Sequence, residues 1–327
     1  MRVVCLAGGV GGGKMAAGLQ GSLEPGELTV IVNTGDDLER HSLTISPDND
    51  SVLYALAGVA DDVQGWGITG ETWNNAEQLA KLGEPTWFRL GDRDLATHLF
   101  RTERLRRGMR PTDVALELAR AMGVPSRILP MADEPVRTRV RTDDGWFDFQ
   151  DYFVRLHQAP EVREVRFDGA EAAHATPEVQ DAIREADVIV VGPSNPIVSI
   201  GPIVAVPGLL PEIASARRRG IPAVGVSGIV GGKALRGPAD RMMAALGEEA
   251  TALGVARKYA ALGLIDVFFL DHVDAALAPE VEALGVSAVI TNTIMDRASA
   301  RIALAAEILA KARSFAARRS APAEDSR

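Results

Sequence analysis

The chain has 327 residues, 46% of them hydrophobic and 24% charged, and a formal net charge of −9 at pH 7. This length and composition are typical of a soluble globular protein with one large domain or two, and they exclude a disordered chain. An acidic chain does not favour a general polyanion-binding surface, so we expect no nucleic-acid partner. The apolar run after Met1-Arg2 is too short for a signal peptide, and no run reaches the roughly 18 apolar residues of a membrane span, so we expect no membrane partner.

Cys5 is the only cysteine, and it lies in the first apolar run of the chain. A single cysteine cannot form an intrachain disulfide, so the reducing cytoplasm is the expected compartment. We expect Cys5 to be a small core residue in a strand rather than a reactive thiol.

The amino-terminal part of the chain predicts a strand at residues 2–7, a glycine-rich turn at 8–13, a helix at 14–23 and a second strand at 28–33. Short β-branched runs recur later, with helical patterns between or after them. The runs lie at residues 188–191, 223–227, 267–270 and 286–291, and the helical patterns at 177–185, 211–219 and 298–313. This alternation predicts an α/β fold, with a Rossmann-like, doubly wound, mainly parallel sheet and helices on both faces.

The middle of the chain has a different pattern. Residues 136–142 and 146–154 flank an Asp-Asp-Gly turn and predict a β-hairpin, to which residues 164–167 add a third strand. We interpret residues 86–175 as an α+β insertion in a single α/β domain of residues 1–313. Residues 314–327 lack core periodicity and predict a disordered tail.

Four aspartates follow the second predicted strand, at Asp36, Asp37, Asp48 and Asp50. Open α/β sheets bind their ligands at this end of the strands. Crowded carboxylates repel one another unless they share a cation, and Mg²⁺ prefers oxygen ligands and often bridges carboxylates to substrate phosphates. A magnesium site is therefore one hypothesis. The alternative is that Asp36 and Asp37 cap a turn while Asp50 caps a helix over residues 51–56.

A second polar block runs from Leu90 to His98, Leu-Gly-Asp-Arg-Asp-Leu-Ala-Thr-His. Asp92 can cap the helix that follows. Arg93 offers a planar fork that can grip a phosphate or a ring carbonyl, and Asp94 can pair with it. His98 is interpreted either as a donor to a phosphoryl oxygen or as a satisfied interior histidine.

The glycine-rich turn lies between a strand and a helix, where backbone N–H groups and the helix dipole favour a phosphate. It is not a P-loop, because Lys14 is followed by Met15 rather than by Ser or Thr. The alternative is a tight turn without a ligand. The candidate phosphate-binding glycines are Gly9, Gly11 and Gly12.

A third polar block, residues 192–202, follows the strand predicted at residues 188–191. Ser194 supplies a hydroxyl, and Asn195 supplies an amide that can recognise a guanine edge or a phosphate. Gly192 and Gly201 allow close approach to a ligand, whereas prolines stiffen the loop. The block predicts a binding loop, with an ordinary strand-helix connection as the alternative.

These blocks, in this order, resemble one family, the phospholactate or phosphoenolpyruvate transferases of deazaflavin coenzyme F420 biosynthesis. The resemblance runs from Val4 to about Ile308. Its parts are Leu6-Ala-Gly-Gly-Val-Gly-Gly12, Val32-Asn-Thr-Gly-Asp-Asp37, Ile45-Ser-Pro-Asp-Asn-Asp50, Trp87-Phe-Arg-Leu-Gly-Asp-Arg-Asp-Leu-Ala-Thr-His98, Leu129-Pro-Met131, Phe149-Gln150, Ser194-Asn-Pro196 and Gly237-Pro-Ala239.

The resemblance implies transfer from a guanylylated three-carbon phosphate to the ribityl hydroxyl of FO (7,8-didemethyl-8-hydroxy-5-deazariboflavin), with release of GMP and with Mg²⁺ as cofactor. It leaves open whether the donor carries lactate, enolpyruvate or glycerate, although an Ala/Arg-rich, bacterial-looking composition favours enolpyruvate. We expect aromatic residues of the insertion, Trp146 and Phe149, to cover the flat FO ring. A homodimer is the expected assembly because it is the commonest.

The same resemblance assigns roles to site residues. The predicted metal ligands are Asp37, Asp48 and Asp50; the predicted catalytic residues are Asp37, Asp50, Arg93 and His98; the predicted substrate-binding residues are Asp50, Arg93, Gly9, Gly11, Gly12, Ser194 and Asn195. One of the carboxylates would accept the proton of the hydroxyl.

Two other functions fit parts of the pattern. A nucleotide-sugar-binding regulator of the same superfamily shares the glycine turn and the acid pair, but such chains continue the pair with a glycine- and serine-rich run. Here Leu38-Glu-Arg-His41 follows instead. A nicotinamide-dependent oxidoreductase would rest on the fold alone, which is a weak argument.

Overall fold

The protein is described by a computed structural model that covers residues 1–320 of the chain. Fourteen strands lie within this part. They are β1 (Val3–Ala7), β2 (Leu28–Val32), β3 (Leu38–Arg40), β4 (Leu43–Ile45), β5 (Arg127–Pro130), β6 (Arg137–Thr142), β7 (Gly145–Asp148), β8 (Glu164–Asp168), β9 (Val188–Val191), β10 (Ala223–Val226), β11 (Ile229–Val230), β12 (Lys233–Ala234), β13 (Val267–Asp271) and β14 (Ser287–Thr291).

Twelve α-helices lie within the same residues. They are α1 (Gly9–Gln20), α2 (Pro47–Leu56), α3 (Asn74–Lys81), α4 (Asp92–Arg106), α5 (Pro111–Ala121), α6 (Pro177–Glu185), α7 (Ile200–Ala205), α8 (Leu209–Arg218), α9 (Ala239–Ala245), α10 (Ala252–Ala261), α11 (Ala278–Glu282) and α12 (Ala298–Ser320). None of these helices is both long and apolar enough to cross a membrane.

The centre of the protein is a seven-stranded, all-parallel sheet in the order β14-β13-β10-β9-β1-β2-β5. In β1, which lies between β9 and β2, Cys5 is opposite Val30 on one side and Val190 on the other. The chain first moves outward from β1 to β2 and β5, and then returns to β9 on the other side of β1. This reversal leaves a crevice at the carboxyl ends of β1 and β9, where open sheets of this kind bind ligands.

Both faces of the sheet are covered. Helices α1, α2, α5 and α12 pack on the face that carries Cys5 and Val30, and helices α6 to α10 pack on the face that carries Leu6 and Ile31. The central strands are rich in Val, Ile and Leu because a parallel sheet with two covered faces is apolar on both. The predicted doubly wound α/β fold is therefore confirmed.

The predicted α+β insertion is smaller than residues 86–175. Strand β5 falls inside that range, yet it is the edge strand of the central sheet and is covered by α5. A separate three-stranded antiparallel sheet, in the order β7-β6-β8, contains the predicted hairpin and third strand. The second hairpin strand ends at Asp148, not at residue 154, because Asp151–Arg155 form a π-helical turn.

Two element boundaries were wrong. Helix α1 begins at Gly9, so most of the predicted turn at residues 8–13 is helical. Helix α12 continues to Ser320, so the prediction of disorder is wrong for residues 314–320, where Phe315 is partly buried against the core. Residues 321–327 of the predicted tail lie outside the described part of the chain.

Candidate active site

The acidic segment lies at the carboxyl end of β2. The β3–β4 hairpin returns the chain to α2, which begins at Pro47 and carries Asp48 and Asp50 in its first turn. Proline and acidic residues both favour the first turn of a helix. Residues two positions apart on a helix are rotated by about 200° from one another, so Asp48 and Asp50 face different partners.

Asp48 and Asp36 share the buried amide of Asn33. The Asn33 amide nitrogen lies 2.8 Å from Asp48 Oδ2, 3.2 Å from Asp36 Oδ1 and 3.1 Å from the carbonyl oxygen of Val198. Asp48 also accepts hydrogen bonds from the Gly9 amide and the side chain of Ser199. Burial raises the pKa of both carboxyls, and the neighbouring Asp48 raises that of Asp36 further. Asp48 therefore joins α2 to the start of α1.

Asp37 has a different environment. Its Oδ2 accepts a hydrogen bond of 3.0 Å from the Ser46 hydroxyl, whereas its buried Oδ1 has no partner among residues 1–320. Burial raises the pKa of Asp37 to about 7, although Arg137 and Arg101 act in the opposite direction. An unpartnered buried carboxylate oxygen is unusual in a folded protein and indicates a missing donor or cation.

Asp50 lies in a buried charged network with α4. Arg101 donates to both of its oxygens, in one case over 3.1 Å. His98 Nδ1 lies 3.2 Å from Arg101 Nη1 and 3.6 Å from Asp50 Oδ2, while His98 Nε2 lies 3.3 Å from Asp94 Oδ1. Asp94 also accepts a hydrogen bond of 2.6 Å from the Tyr54 hydroxyl. His98 is thus fully interior, between two carboxylates.

The electrostatics of this network favour its charged forms. Burial alone would raise the pKa of Asp94, but His98, Tyr54 and Arg101 lower it below the usual value. Burial alone would also lower the pKa of Arg101, but the pair with Asp50 raises it. Paired and hydrogen-bonded charges are the form in which charged groups are stable inside proteins.

Sequence reasoning missed Arg101 and Tyr54. Residues three and four apart lie on one face of a helix, and Asp94, His98 and Arg101 follow this spacing. The spacing could therefore have identified Arg101 as a neighbour of His98. The contact of Arg101 with Asp50, 51 residues away in the chain, had no local signal.

Arg93 does not join this network. It is exposed on α4, one position before Asp94, and its Nη1 donates a hydrogen bond of 3.0 Å to the carbonyl oxygen of Thr69. Asp92 was expected to cap α4, but it instead accepts from the Asn74 and Asn75 amides at the start of α3. The hydrogen bond from the Thr72 hydroxyl, together with those from Asn75 and Asn74, lowers the pKa of Asp92 to about 2.

The glycine turn and the Ser194-Asn-Pro196 loop meet at the crevice between β1 and β9. Ser194 Oγ donates to the Gly8 carbonyl oxygen over 2.8 Å and accepts from the Gly8 amide over 3.0 Å. A Cβ on Gly11 would lie 2.4 Å from the Pro193 carbonyl oxygen, and one on Gly12 would lie 2.6 Å from Ser194 Oγ. These glycines therefore permit close packing of α1 on the loop.

Most polar groups at this crevice already have protein partners. The Gly9 amide donates to Asp48, and Asn195 Oδ1 accepts from the Ile197 amide over 2.9 Å and from the Val198 amide over 3.3 Å. Helix α1 begins at Gly9, and Gly8 before it supplies no side-chain cap. The first amides of a helix have no acceptor within the helix, so the amino end of α1 favours a phosphate.

A cavity of about 450 Å³ opens beside Asp37. Small-molecule sites have volumes of about 300–1,000 Å³. Of the two aromatic residues expected to cover the FO ring, Phe149 lines the cavity and Trp146 does not. Trp146 lies under the Arg166 guanidinium, whose carbon is 4.1 Å from the ring centre. The lining residues are Gly35, Asp36, Asp37, Leu38, Glu39, Arg40, Trp87, Arg137, Thr138, Asp148, Phe149, Gln150 and Asp151.

The predicted metal ligands do not form one cluster. Among the described residues, the one group of at least three acidic, His or Cys residues with ligand atoms within 4.8 Å of one another is Asp50, Asp94 and His98. Arg101 already neutralises Asp50, and a site with a histidine is less suited to Mg²⁺ than an all-oxygen site. Asp37 is the predicted ligand with a free oxygen.

A doubly wound parallel sheet with a polar cavity at the carboxyl ends of its strands is the architecture of an α/β enzyme that acts on a small molecule. The sequence model of the family described as 2-phospho-L-lactate transferase CofD matches residues 3–301. The chain therefore belongs to this family, and it is a transferase. The family and the enzyme class predicted from the sequence are both confirmed.

Curated relatives support the same assignment. A phosphoenolpyruvate transferase of Streptomyces griseus is 45% identical over 315 residues, which cover 94% of this chain and 98% of the relative. A 2-phospho-L-lactate transferase of Methanosarcina mazei is 38% identical over 293 residues, which cover 90% of this chain and 94% of the relative.

A solved structure shares the fold. The crystal structure of a UPF0052 family member from Bacillus halodurans superposes with a TM-score of 0.63, and the match covers 94% of this chain and 98% of that one. The two sequences are 15% identical, so this likeness concerns the fold alone.

Proposed function

We propose that this transferase moves a phosphoenolpyruvyl or phospholactyl group from a guanosine-diphospho donor to the ribityl hydroxyl of FO and releases GMP. The observation that carries the proposal is the cavity that Asp37, whose buried Oδ1 is unpartnered in the described chain, lines together with the aromatic side chains of Trp87 and Phe149. Family membership supplies the reaction class. The names of relatives 45% and 42% identical, both phosphoenolpyruvate transferases, favour the enolpyruvyl donor over the lactyl one.

The cavity suits the acceptor. Trp87 and Phe149 offer flat apolar surfaces, and they are held in place by Arg40, 4.8 Å from the Trp87 ring centre, and by Phe153, which stacks on Phe149 at 5.4 Å. Thr138 lines the same cavity, and its buried hydroxyl has no partner among the described residues. A planar heterocycle with a polar side chain would cover the rings and satisfy such groups.

The donor would lie at the crevice between β1 and β9. The first amides of α1, which have no acceptor within the helix, suit the diphosphate. Ser194 ties the loop after β9 to the glycine turn and would fix the width of this crevice. We retain Gly9, Gly12 and Asn195 as parts of this binding region in a supporting role, since their polar and packing contacts are to the protein itself.

The residues fit a divalent cation at Asp37. Its unpartnered Oδ1 is an oxygen ligand, and the negative charge of Asp50 lies close enough to raise the pKa of Asp37. Asp48 fits less well because Asn33, Gly9 and Ser199 already occupy it. Bound Mg²⁺ would neutralise charge on the diphosphate.

In the proposed reaction, FO lies in the cavity and the donor lies at the crevice between β1 and β9. The ribityl oxygen forms a bond to the phosphorus that carries the three-carbon group, the bond from that phosphorus to the GMP oxygen breaks, and the hydroxyl proton passes to a carboxylate. The protein would act by orienting the two substrates and by holding Arg137 and Arg101 near the developing negative charge. His98 would support Asp50 rather than touch the phosphate, because it is 1% exposed.

An Asp37→Asn variant tests the proposal. Purified wild-type enzyme with FO, the guanylylated enolpyruvyl donor and Mg²⁺ should yield GMP and the FO adduct, measured by mass spectrometry. Asp37→Asn should lower the rate by about 100-fold or more, as expected when a group that stabilises the transition state is lost. Asp144→Asn, at an exposed turn of the insertion, is the matched control and should keep wild-type activity.

The same assay separates the rival functions. Binding of a nucleotide sugar without any FO adduct would favour the regulator, and it would overturn the proposed transfer. Wild-type activity in Asp37→Asn would remove Asp37 from the site. The homodimer and the cytoplasmic location stay predictions, and sedimentation velocity would test the first of them.

A further inference from the structure

Two arginines line the cavity beside Asp37 without an acidic partner. Arg40 is the last residue of β3, Arg137 is the first residue of β6, and both side chains are partly buried. Among residues 1–320, no carboxylate oxygen lies within 4.0 Å of either guanidinium group. Charges inside proteins are normally paired, so two unpaired guanidinium groups in one cavity indicate an anion that comes from outside the chain.

The contacts of these two guanidinium groups are with backbone carbonyls and one ring. Arg137 Nη1 donates a hydrogen bond of 2.9 Å to the carbonyl oxygen of its neighbour Val136. Arg40 Nη2 donates to the Pro85 carbonyl oxygen, and the guanidinium lies over the Trp87 ring. The buried Nε of Arg40 has no partner among the described residues. Because a guanidinium has five N–H donors, most of them are left for a bound anion.

The acidic residues of the same cavity do not neutralise these arginines. Asp148 lies 3.2 Å from Arg139, and Asp151 lies 2.6 Å from Arg155; neither of these partner arginines lines the cavity. Glu39 is exposed, and its carboxylate is more than 4.0 Å from both cavity guanidinium groups. The cavity wall therefore keeps two unpaired cations, although the chain as a whole carries a net charge of −9.

The start of β6 is fixed beside the segment that carries Asp37. The Thr138 amide donates a hydrogen bond of 2.7 Å to the Gly35 carbonyl oxygen. The Thr138 hydroxyl is buried, has no partner among residues 1–320 and belongs to a residue that lines the cavity. Burial raises the pKa of Asp37, and of the neighbouring charges Arg137 opposes this rise most. Arg137 is thus held close to Asp37 on a strand rather than on a mobile loop.

The chemistry of the proposed donor determines which anion reaches this place. In an enolpyruvyl or lactyl phosphate, one carbon and one oxygen separate the carboxylate carbon from the phosphorus. That phosphorus has to meet the ribityl oxygen of FO beside Asp37, so the carboxylate lies in or at the same cavity. A planar guanidinium fork matches the two oxygens of a carboxylate, and charge-assisted pairs of this kind are strong.

We infer that Arg137 binds the carboxylate of the three-carbon group of the donor, with Arg40 as a second positive charge and the Thr138 hydroxyl as a further donor. This role rests on the proposed transfer to FO and adds to it the residue that selects an acid at this end of the donor. It keeps Arg137 close to the transferring phosphoryl group, as the proposed reaction requires. The enzyme should therefore discriminate against donors whose three-carbon group carries no negative charge.

The test compares two donors, the guanylylated enolpyruvyl compound and its primary amide, in which a neutral carboxamide replaces the carboxylate. With FO and Mg²⁺, the wild-type enzyme should have a kcat/KM about 10- to 100-fold higher for the acid, the range expected for charge-assisted hydrogen bonds. Arg137→Met should lower kcat/KM for the acid and leave that for the amide nearly unchanged. Arg137→Lys should keep part of the ratio, since Lys is a point charge and not a fork.

Arg141→Met is the matched control. Arg141 lies on the same strand, is exposed, pairs with Glu164 at 2.9 Å and does not line the cavity. This variant should keep the wild-type ratio of acid to amide. Arg137→Met should keep the wild-type melting temperature, because Arg137 has no ion pair within the described chain to lose.

Three results would overturn the inference while the proposed function stands. Equal kcat/KM values of the wild type for the two donors would show that no residue binds the carboxylate. An unchanged ratio in Arg137→Met, in an enzyme that still transfers to FO, would remove Arg137 from the carboxylate site. A ratio that is lost in Arg40→Met but kept in Arg137→Met would assign the carboxylate to Arg40 instead. No FO adduct from the wild type with either donor would overturn the proposed function, and the inference with it.

Discussion

Asp48 and Asp50 are only two residues apart, but they have different partners and therefore different roles. Both lie in the first turn of α2, but Asp48 bonds Asn33 beside the glycine turn and Asp50 bonds Arg101 of α4. A helix turns by about 100° per residue, so alternate residues face nearly opposite directions. The predicted metal set of Asp37, Asp48 and Asp50 came from the family resemblance, which does not show that Asp48 and Asp50 face different partners.

Asp50 and Arg101 are expected to stabilise the fold as a pair, because each neutralises the buried charge of the other. Arg101→Met leaves a buried carboxylate unpaired and should lower the free energy of unfolding by about 3–5 kcal/mol. Asp50→Asn with Arg101→Met removes both charges, so it should be less destabilised than the sum of the single changes. Urea unfolding of the four proteins measures this coupling. Additive effects would show that the two charges act independently.

Contacts between residues that are distant in the sequence are what sequence interpretation could not predict at the scale of single residues. The glycine turn, the acidic segment and the Ser194-Asn-Pro196 loop were all recognised locally, and the structure brings them to one edge of the sheet. Arg101 was missed because its partner Asp50 is 51 residues away. Arg93 was favoured because its block is dense in charge. Its Nη1 donates to the Thr69 carbonyl oxygen, and its role in substrate binding and catalysis stays a prediction.

At the level of elements, α3 and α4 cap each other. Asp92, at the start of α4, accepts from the Asn74 and Asn75 amides at the start of α3. Glu71, just before α3, accepts from the Arg93 and Asp94 amides at the start of α4. A capping acid was predicted correctly at Asp92, but for the wrong helix, because a side chain can reach the end of a neighbouring helix as well as its own.

The start of α1 shows tertiary packing prevailing over propensity. Glycines disfavour a helix, so the residues before Lys14 were predicted as a turn. The structure makes them helical, and glycine is required there because side chains would collide with the loop after β9, with Ala7 and with α2. A Cβ on Gly12 would lie 2.6 Å from Ser194 Oγ and 2.8 Å from the Ala7 Cβ.

Gly12→Ala is therefore expected to destabilise the protein by about 1–3 kcal/mol, the usual cost of overpacking. Gly21→Ala, at the end of the same helix, is the control, because its new Cβ would be tight only against the Ile302 side chain at 3.1 Å, which can move, and would meet the Ala17 carbonyl oxygen at an ordinary 3.5 Å. That variant should be neutral or slightly stabilising, since alanine favours a helix. Similar losses in both would refute the packing explanation; chemical denaturation distinguishes the cases.

At the level of the whole molecule, the alternation of strands and helices predicted the parallel sheet well. The order of its strands was not readable, since β5 lies far from β2 in the chain and its short apolar run resembles the end of a helical segment. Its parallel pairing with β2, in which Ile128 lies opposite Val30, extends the sheet beyond the predicted core. Long-range pairing of this kind depends on burial and not on local pattern.

Helix α12 covers one face of the sheet. Its last turns, at residues 314–320, were predicted to be disordered but are helical, and this difference can be tested. Phe315 packs on the core, and Arg319 lies 3.4 Å from Asp266. Phe315→Ala should lower the free energy of unfolding by about 1–3 kcal/mol, less than for a fully buried Phe. Arg318→Ala, exposed in the same turn, should change it by less than about 0.5 kcal/mol. Equal stability of wild type and Phe315→Ala in urea would mean that this end of α12 does not pack against the domain in solution, as the sequence first suggested.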